Sequence, residues 1–481
     1  MNPLDWMREP PLCGKTFAGP TFLAARALIA AVFGQPMTPE MLEVFRICTG
    51  RTVAPVSAFS RAVIAAGRGA GKTLLAAFVV VFLAASRNYR ALLGPGELAT
   101  VALVTPDRRQ SRVAMRYIRG LLTASPMLAQ LIESETKESI TLTTGVVIEV
   151  HTASFRSTRG YSFAGVVIDE AAFLPADADG AASPAEELVR AVMPGLARVP
   201  GSLLWVSSSP YRKAGFLYDA LRRWHGDDAA PVLTWQAPTR AMNPTIAQRV
   251  VDEALADDAT AARSEWLGEF RDDIASYIDL DTLRRVVIPG RGDLPRAPGV
   301  QELAFTDAAT GAGRDSWATA WGYRDAATGH AVVTGLLEFT PPFSPEACAQ
   351  QLCEALRARG ITRVVGDRFG GLWVTERLRV HGVTLTPADM PRSQLYLECL
   401  AVLTSQRCEL PENVKMIRQF CQLERRSGGR GGNRDSVDHP QRAGGAGGGG
   451  YHDDIANVVA GLLVELTGKP RIEIRQVPGG W

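Results

Sequence analysis

The sequence predicts an α/β protein of two domains, and three observations support this. The chain has 481 residues, of which 46% are hydrophobic, so two ordinary cores are expected rather than one. Its first half alternates continuous β-branched apolar runs with helical stretches, which is typical of strands buried on both faces of a parallel sheet. A charged, Pro/Gly-rich stretch follows, and a second α/β pattern begins after it. We therefore expect a domain over 1–270, a linker over 271–298 and a second domain over 299–481.

The predicted strands can be taken in order along the chain. In the first half they are five apolar runs: RAVIAA (61–66), TVALVT (100–105), VVIEVHTA (146–153), GVVIDE (165–170) and SLLWVSSS (202–209). The second half contains three strands, a helix and a further strand: ELAFTDAA, SWATAWGYR, AVVTGLLEF, a helix over 344–359, and TRVVGDRF. The segment 427–450 is glycine-rich with scattered arginines, and we interpret it as a flexible loop.

Composition sets limits on the class of protein. Lys plus Arg (52) nearly balance Asp plus Glu (50), so any nucleic-acid contact must come from local basic clusters. The seven cysteines show no C-x-x-C pair and no zinc-type spacing, which indicates a reduced, cytosolic protein. The amino terminus lacks a signal-peptide layout, and the longest apolar run, 74–85, is too short to span a bilayer. We expect a soluble protein.

A strand, a Gly-rich loop and an apolar helix follow one another over 61–85, which is the order that a P-loop requires. In such a loop, backbone N–H groups and the amino end of the helix converge on phosphate oxygens. Lys72 is expected to pair with the β and γ phosphates, and Thr73 to bind Mg²⁺. The pattern departs at Ala66, which stands where the first glycine belongs. The other predicted nucleotide-binding positions are Gly67, Arg68, Gly69, Ala70 and Gly71. The alternative is a glycine turn followed by a chance Lys-Thr pair.

The run GVVIDEAAF (165–173) predicts the second half of a nucleotide site. Asp169 ends a hydrophobic strand, where it can hold the water shell of Mg²⁺, and Glu170 can polarise the attacking water. Combined with the upstream P-loop, this pair favours an ATPase over a kinase or a GTPase. The strand at 202–209 ends in three serines, which form either a sensor of the γ-phosphate or a helix-capping turn. They are Ser207, Ser208 and Ser209.

Three arginines in this half are candidates for contacting the transferring phosphoryl group. Arg68 lies inside the loop and is a candidate arginine finger acting within its own subunit. Arg156 and Arg159, in FRSTRGYSF, are candidates for acting from a neighbouring subunit or for contacting DNA. A solvated arginine is the alternative for each of them.

The second half places carboxylates at three spaced positions. Asp307 and Asp367 each end an apolar strand, and Asp453 and Asp454 begin an apolar helix. Carboxylates from two strands and a helix suit a pair of Mg²⁺ ions about 4 Å apart, which stabilise the attacking and leaving oxygens in phosphodiester hydrolysis. The alternatives are turn residues for the first two and an N-cap for Asp453. Asp438 and His452 are further candidate ligands, although a loop role is the favoured interpretation of both.

These motifs together resemble the large terminase subunits of tailed phages and prophages. The resemblance covers nearly the whole chain. In the first half it rests on VFRICTGRT (44–52), GRGAGKT and STRGYSFAGVVIDEAAF. In the second half it rests on FTDAATGAGRDSWATA, VVGDRFGGLWV, RSQLYLECLAVLTSQRCELP and the stretch from RDSVDHP to HDDIANVVA. The order of P-loop, Asp-Glu pair and three aspartate motifs is more specific than any one of them.

The resemblance implies a RecA-like (ASCE P-loop) ATPase followed by an RNase H-like nuclease. Such a protein uses ATP and Mg²⁺ to drive double-stranded DNA through a portal ring into a procapsid and to cut concatemers, with Mn²⁺ able to substitute in the nuclease site. The implied partners are double-stranded DNA, a portal protein and a small terminase subunit. The implied state is a homo-oligomeric ring on the procapsid, with a monomer in isolation as the alternative, in the cytoplasm of a bacterial host.

The resemblance also assigns roles to residues. Lys72, Thr73, Asp169 and Glu170 match the ATP site, and Arg68 matches the loop arginine of some terminases. Asp307, Asp367 and one of Asp453 and Asp454 match the nuclease acids. The segment 45–51 corresponds to the part that receives adenine. One departure is QRAGGAGGGG, which intervenes before the HDD helix and changes the loop expected to face DNA.

Two other classes of protein share some of these parts. A helicase or DNA-repair ATPase with a nuclease domain requires a second RecA-like domain, and no such segment is recognisable between 230 and 300. A non-enzymatic scaffold with an inactive nucleotide fold is disfavoured by the intact lysine, the Asp-Glu pair and the acids.

Overall fold

The computed structural model describes residues 2–90, 92–152, 160–174, 184–310, 315–366, 371–426, 435–439 and 452–468. They form two units, the first ending at Ala275 and the second beginning at Ser276. Within the described ranges, no helix combines the length and apolar character needed to cross a bilayer.

The first unit is built on one mixed sheet of eight strands in the order β3-β4-β5-β2-β6-β7-β1-β8. Its central strands are parallel and buried along their length, as the continuous apolar runs predict. The strands are β1 (Arg61–Ala66), β2 (Ala99–Thr105), β3 (Ile132–Glu135), β4 (Ser139–Leu142), β5 (Val146–Thr152), β6 (Ser162–Asp169), β7 (Leu203–Ser208) and β8 (Leu233–Ala237).

The strand order confirms the predicted RecA-like arrangement. The strand that precedes the P-loop, β1, is separated from the strand that carries Asp169, β6, by the single strand β7. Ser207, on the middle strand β7, lies between Asp169 of β6 on one side and Ile64 of β1 on the other. The parallel strands therefore bring the loop, the acids and the serines to one edge of the sheet.

Helices cover both faces of this sheet. Two of them, α5 and α6, pack against each other, and the apolar α5 is buried over nearly all of its length. The helices are α1 (Pro3–Arg8), α2 (Gly14–Phe17), α3 (Leu23–Val32), α4 (Pro39–Thr49), α5 (Lys72–Ala85), α6 (Arg108–Ala124), α7 (Pro126–Ala129), α8 (Pro184–Ala197), α9 (Phe216–Trp224), α10 (Thr239–Met242), α11 (Gln248–Asp257) and α12 (Ala259–Leu267).

The second unit contains a six-stranded sheet in the order β14-β13-β10-β11-β12-β15. The first three strands of this sheet along the chain are β10, β11 and β12, and each is antiparallel to the next. The next strand, β13, pairs with β10 in parallel. This confirms the RNase H-like arrangement. The six strands are β10 (Leu303–Asp307), β11 (Trp317–Arg324), β12 (Ala331–Phe339), β13 (Arg363–Gly366), β14 (Thr384–Pro387) and β15 (Cys408–Glu409). A separate sheet in the order β17-β16-β9 contains β9 (Ile274–Ser276), β16 (Glu424–Arg426) and β17 (Ser436–Asp438).

The helices of the second unit flank this sheet, and the carboxyl-terminal helix α18 lies on β10 and β11. A Cβ on Gly461 of α18 would lie 2.5 Å from the ring of Phe305 on β10, so glycine at this position permits the close approach. The helices are α13 (Leu280–Arg284), α14 (Pro345–Ala358), α15 (Gly371–Val380), α16 (Arg392–Thr404), α17 (Val414–Gln422) and α18 (Asp454–Thr467).

The segment expected to be a linker, 271–298, is in large part folded. Its residues from Ser276 onward belong to the second unit, and α13 lies within it. Tyr277, Ile278 and Leu283 are buried in the second core, and the Tyr277 hydroxyl donates a hydrogen bond to the Tyr396 carbonyl at 2.7 Å. The Pro/Gly content that indicates a connection is confined to 289–299, and the apolar residues before it are too few and too spaced to show a core pattern.

Candidate nucleotide and metal sites

The loop between β1 and α5 has the conformation of a phosphate cradle. Gly71 adopts φ +83° immediately before the first residue of α5, and no atom lies within 4 Å of the position its Cβ would occupy. The amino end of α5 carries no side-chain cap, so its first N–H groups remain available to an anion. The chemistry and space of this loop fit a phosphate group.

Lys72 is buried at the mouth of this cradle. Its Nζ donates hydrogen bonds to the carbonyls of Ala66 and Gly67, at 3.0 and 3.1 Å, and to Ser209 Oγ at 2.8 Å. It also lies 3.6 Å from Glu170 Oε1. The ammonium group is therefore held inside the site by neutral oxygens and one carboxylate.

The two halves of the predicted nucleotide site meet at Thr73 and Asp169. The Thr73 hydroxyl donates to Asp169 Oδ2 at 2.7 Å, and the Ser207 hydroxyl donates to Asp169 Oδ1 at 2.8 Å. Burial, reinforced by the neighbouring Glu170, raises the pKa of Asp169 to about 6. A hydroxyl beside an acidic carboxylate is the ligand chemistry that Mg²⁺ prefers, so these residues fit the ion.

Glu170 is turned towards the serines by an unusual backbone. Its φ of 52° lies in the left-handed region, which costs a non-glycine residue about 1–2 kcal/mol. The carboxylate accepts hydrogen bonds from the Ser208 hydroxyl and the Ser209 amide, both at 3.2 Å. All three serines thus contact the Asp-Glu pair or Lys72. The strained backbone is compensated by these contacts, as is common at functional sites.

The arginines and the predicted adenine segment are placed differently. Arg68 is half exposed, and its guanidinium lies 3.4 Å from Glu265, while its backbone carbonyl accepts from the Thr239 hydroxyl at 2.8 Å. Arg156 and Arg159 lie outside the described residues. In the segment 45–51, Phe45 is fully buried, and the Arg51 guanidinium donates to the carbonyls of residues 230 and 232.

In the second unit, Asp307 and the start of α18 come together. Asp307 is the last residue of β10, and its Oδ2 accepts a hydrogen bond from Asn457 Nδ2 at 2.7 Å. Asp453 precedes the first turn of the same helix, and its backbone carbonyl accepts from the Asn457 amide at 2.8 Å. Asp367 lies outside the described residues.

Asp453 stands at the N-cap position of α18, yet its side chain does not cap the helix. Instead, Oδ2 accepts from the Tyr396 hydroxyl at 2.8 Å and Oδ1 from Arg392 Nη1 at 3.3 Å. Arg392 and Tyr396 are four residues apart on α16, so both project from one face of that helix. Burial lowers the pKa of Arg392, but the surrounding carboxylates, Asp453 first and Asp307 among them, raise it by more.

Two clusters of potential metal ligands flank the start of α18 in the described ranges, each with ligand atoms within 4.8 Å of one another. The first is Asp438, His439 and Asp453, where Arg392 Nη2 also contacts Asp438 at 3.1 Å. The second is Asp315, His452 and Asp454.

Asp454 belongs to the second cluster and accepts from the Ser316 amide at 2.9 Å. Burial, followed by the charge of Asp453, raises its pKa to about 6. The two adjacent aspartates therefore face different surroundings. The charge of Asp307 acts on Arg392 and Tyr396, the two residues that contact Asp453. Asp454 instead contacts the amide of Ser316, the residue before β11.

Sequence reasoning missed several polar residues of this site. Arg392 and Tyr396 were recognisable only as part of a segment that resembles the family, and their spacing of four on a helix was the available signal. Asn457 and Asp315 gave no signal of their own, because their partners, Asp307 and His452, lie 150 and 137 residues away along the chain. His439 contacts the adjacent Asp438, and a histidine beside an aspartate is not distinctive.

No protein-family model matches the sequence, and no curated protein matches it. Several solved structures are similar to the chain. The large terminase of bacteriophage HK97 is similar over 91% of this chain and 98% of its own, at 14% identity and a TM-score of 0.37. The large terminase of a thermophilic bacteriophage is similar over 90% of this chain and 99% of its own, at 12% identity and a TM-score of 0.38. A further structure of that protein is a complex with ADP.

A structure of a nuclease domain alone is also similar. The large terminase nuclease of the thermophilic phage G20c is similar over 39% of this chain and 96% of its own, at 16% identity and a TM-score of 0.31, and another structure of it contains bound magnesium. Because these identities and TM-scores are low, the roles of individual residues are argued only from the contacts and distances in this chain. The chain is similar in structure to the large terminases of phages, the family that its motifs resemble.

Proposed function

We propose that this chain is a terminase large subunit, in which the first unit hydrolyses ATP to translocate double-stranded DNA into a procapsid and the second cuts concatemeric DNA. The observation that carries the proposal is the hydrogen bond of 2.7 Å between Thr73 Oγ1 and Asp169 Oδ2. It joins the P-loop to the Asp-Glu pair across 96 residues of sequence. The second unit is not a second RecA-like domain, since β10 to β12 are antiparallel, and this disfavours the helicase alternative.

In the first unit, the cradle of Gly67, Arg68, Gly69, Ala70 and Gly71 would hold the phosphates of ATP. Bound ATP and Mg²⁺ supply the phosphoanhydride bond and the charge that balances the phosphates. Lys72 releases its carbonyl partners and pairs with phosphate oxygens. Thr73 and Asp169 hold the ion and its water shell, and Glu170 orients and polarises the attacking water.

The serines of β7 give the acids a fixed geometry. Because Ser207 binds Asp169 while the Ser208 hydroxyl and the Ser209 amide bind Glu170, a shift of β7 would move both carboxylates together. Ser209, the residue after β7, also accepts from Lys72, so β7 and the residue that follows it contact Lys72, Asp169 and Glu170. We infer that β7 senses the γ-phosphate. Arg68 serves as the arginine finger once it leaves Glu265.

In the second unit, Asp307, Asp453 and Asp367 would hold Mg²⁺ or Mn²⁺, which stabilise the attacking and leaving oxygens of the phosphodiester. Of the adjacent pair, we favour Asp453 as the direct metal ligand. Arg392 and Tyr396 interact electrostatically with both Asp453 and Asp307, which indicates that these two carboxylates belong to one site. Asp454 then completes the site from the side of β11. Tyr396 orients Asp453, and Arg392, which contacts the same carboxylate, becomes available to a phosphate once a metal ion takes its place there.

The remaining parts of the proposal follow the family resemblance. The motor works as a homo-oligomeric ring on the procapsid, docked on a portal protein and loaded by a small terminase subunit. It acts in the cytoplasm of the bacterial host.

The test combines two assays on the full chain: ATP hydrolysis, and plasmid cleavage with Mg²⁺ or Mn²⁺. We expect Asp307→Ala and Asp367→Ala to remove cleavage and leave ATP hydrolysis intact. If Asp367→Ala cuts plasmid as well as the parent chain, the proposed metal site is wrong. If the parent neither hydrolyses ATP nor cuts DNA in the presence of a portal ring, the proposed function is wrong.

A further inference from the structure

Helix α6 carries a basic surface that neither proposed active site uses. The helix contains five arginines and no acidic residue over Arg108–Ala124. Its apolar side, which includes Met115 and Ile118, is buried. Arg119 pairs with Glu135 of β3. The other four arginines are exposed, and we call them the arginine face: Arg108, Arg109, Arg112 and Arg116.

The stability of the helix does not account for these arginines. Arg108 and Arg109 occupy the first turn, where the helix dipole disfavours positive charge. Arg108, Arg112 and Arg116 follow one another at intervals of four, which places like charges side by side. Asp107 caps the helix by accepting from the amides of residues 109 and 110. Among the described residues, no carboxylate forms an ion pair with the four side chains, so the face carries a concentrated positive charge.

The arginine face begins at the edge of the sheet that carries the nucleotide site. Strand β2, which leads into α6, pairs in parallel with β6, and Val104 lies opposite Ile168. The end of β2 is therefore level with Asp169, and Arg108 follows three residues after Thr105. The Thr105 hydroxyl is within 2.6 Å of the Ser111 hydroxyl on the first turns of α6, which ties the helix to this edge.

We propose that the arginine face binds the phosphate backbone of double-stranded DNA during translocation. The inference rests on the proposed function and names the surface by which the motor holds its substrate. Guanidinium groups at every fourth residue advance about 6 Å per step along a helix, and a duplex presents about one phosphate charge per 1.7 Å of its axis. Contacts to phosphates do not depend on the base sequence. A motor that moves DNA of any sequence requires contacts of this kind.

The test measures duplex binding by the full chain. The double variant Arg112→Gln/Arg116→Gln removes the two charges of the face that lie beyond the first turn and keeps good helix formers. The matched control is Arg249→Gln, which removes an exposed arginine from α11, a helix of the same unit that also contains acidic residues. Fluorescence anisotropy is recorded with two unrelated duplexes of about 30 base pairs, long enough to cover the face, over a series of salt concentrations. Thermal melting checks that each variant is folded.

We expect the double variant to bind both duplexes roughly tenfold more weakly at low salt, with a salt slope reduced by about two, since each phosphate contact contributes close to one. Arg249→Gln should match the parent chain, and ATP hydrolysis without DNA should be unchanged in both. Parent-like affinity and slope in the folded double variant would overturn the inference, and an acidic protein surface would then be the partner to seek. A parent chain that binds duplex through these arginines but hydrolyses no ATP would overturn the proposed function and leave only the duplex-binding role of the face standing.

Discussion

The two candidate sites differ in what holds their carboxylates. In the first unit, both oxygens of Asp169 accept hydrogen bonds from neutral hydroxyls, those of Thr73 and Ser207. In the second unit, Asp453 accepts from the neutral Tyr396 hydroxyl and from the cationic Arg392. Neutral donors leave the negative charge of a carboxylate available to a metal ion, whereas a guanidinium neutralises part of it. We infer that the first site is ready for Mg²⁺, and that in the second site an arginine competes with the ion.

The largest expected effect comes from removing the charge of Glu170. Glu170→Gln retains an oxygen that can accept from Ser208 and Ser209 but cannot take a proton from water. We expect the rate of ATP hydrolysis to fall by roughly 10²–10⁴, the usual contribution of a general base, while ADP binding persists because Lys72 and Thr73 are unchanged. Steady-state hydrolysis and calorimetric binding of ADP measure the two properties.

The control for this variant is Asp307→Asn, which should hydrolyse ATP at the parent rate. Hydrolysis by Glu170→Gln within a few-fold of the parent would show that another group activates the water, and would remove the main reason for regarding the first site as complete.

The next effect distinguishes the two adjacent aspartates of the second site. Asp453→Asn replaces the carboxylate that shares its surroundings with Asp307, and we expect plasmid cleavage to fall by about 100-fold or more, because a direct metal ligand is lost. Asp454→Asn is the matched comparison. Its amide oxygen can still accept from the Ser316 amide, so we expect a smaller loss of about tenfold. The rates are compared at saturating Mn²⁺. The reverse order of the two losses would identify Asp454 as the direct ligand.

A smaller effect tests whether Arg392 competes with the metal ion. The Arg392 side chain is 35% exposed, so its attraction to Asp453 is partly screened by water. We expect Arg392→Gln to lower the Mn²⁺ concentration needed for half-maximal cleavage by roughly fivefold, which is the effect of losing one such ion pair. Arg407→Gln, at an exposed arginine of the same unit, should leave this concentration unchanged. An increased requirement for Mn²⁺ would mean that Arg392 holds the acids in place instead of competing for them.

The sequence predicted the elements that depend on local patterns. The P-loop, the Asp-Glu pair and the strands that carry them each depend on a short run of neighbouring residues, and the structure has them at nearly the expected bounds. Asp307 and the start of α18 were also recognisable, because acids at the ends of apolar runs are distinctive. The sequence does not decide between the two interpretations of Ser207, Ser208 and Ser209, since a serine at a strand end is equally typical of a turn.

What the sequence could not reveal are the partners that come from distant segments. Arg68 is held by Thr239 and Glu265, which lie 171 and 197 residues away. Arg392 reaches Asp453 across 61 residues. No periodicity or motif encodes such pairs in one sequence. The folded part of the expected linker escaped prediction for a related reason, since α13 spans only five residues and Tyr277 and Ile278 are buried by segments far along the chain.

The smallest expected effect concerns pH and the first site alone. Burial, with the neighbouring charge of Glu170, raises the pKa of Asp169 to about 6, so the proton leaves this carboxylate as the pH rises through that value. A metal ion binds the ionised form, and the affinity for Mg²⁺ and ADP together should therefore increase over the same range. At about pH 6 roughly half of the molecules carry the proton, so we expect the affinity to be about twofold lower than at about pH 7 or above, and to fall further at lower pH.

Asp169→Asn removes the titrating carboxylate and should bind Mg²⁺ and ADP weakly. The terminal phosphate of ADP also titrates in this range, so the contribution of Asp169 is the difference between the profiles of the two proteins. Calorimetry at fixed ionic strength, from about pH 5.5 to about pH 8, measures both proteins across the titration of this carboxylate. A parent profile that parallels that of Asp169→Asn would mean that Asp169 is already ionised at the acid end of that range. In that case the Thr73 and Ser207 hydroxyls and the Lys72 ammonium stabilise its charge more than burial opposes it, and the first site would be ready for a metal ion over the whole range.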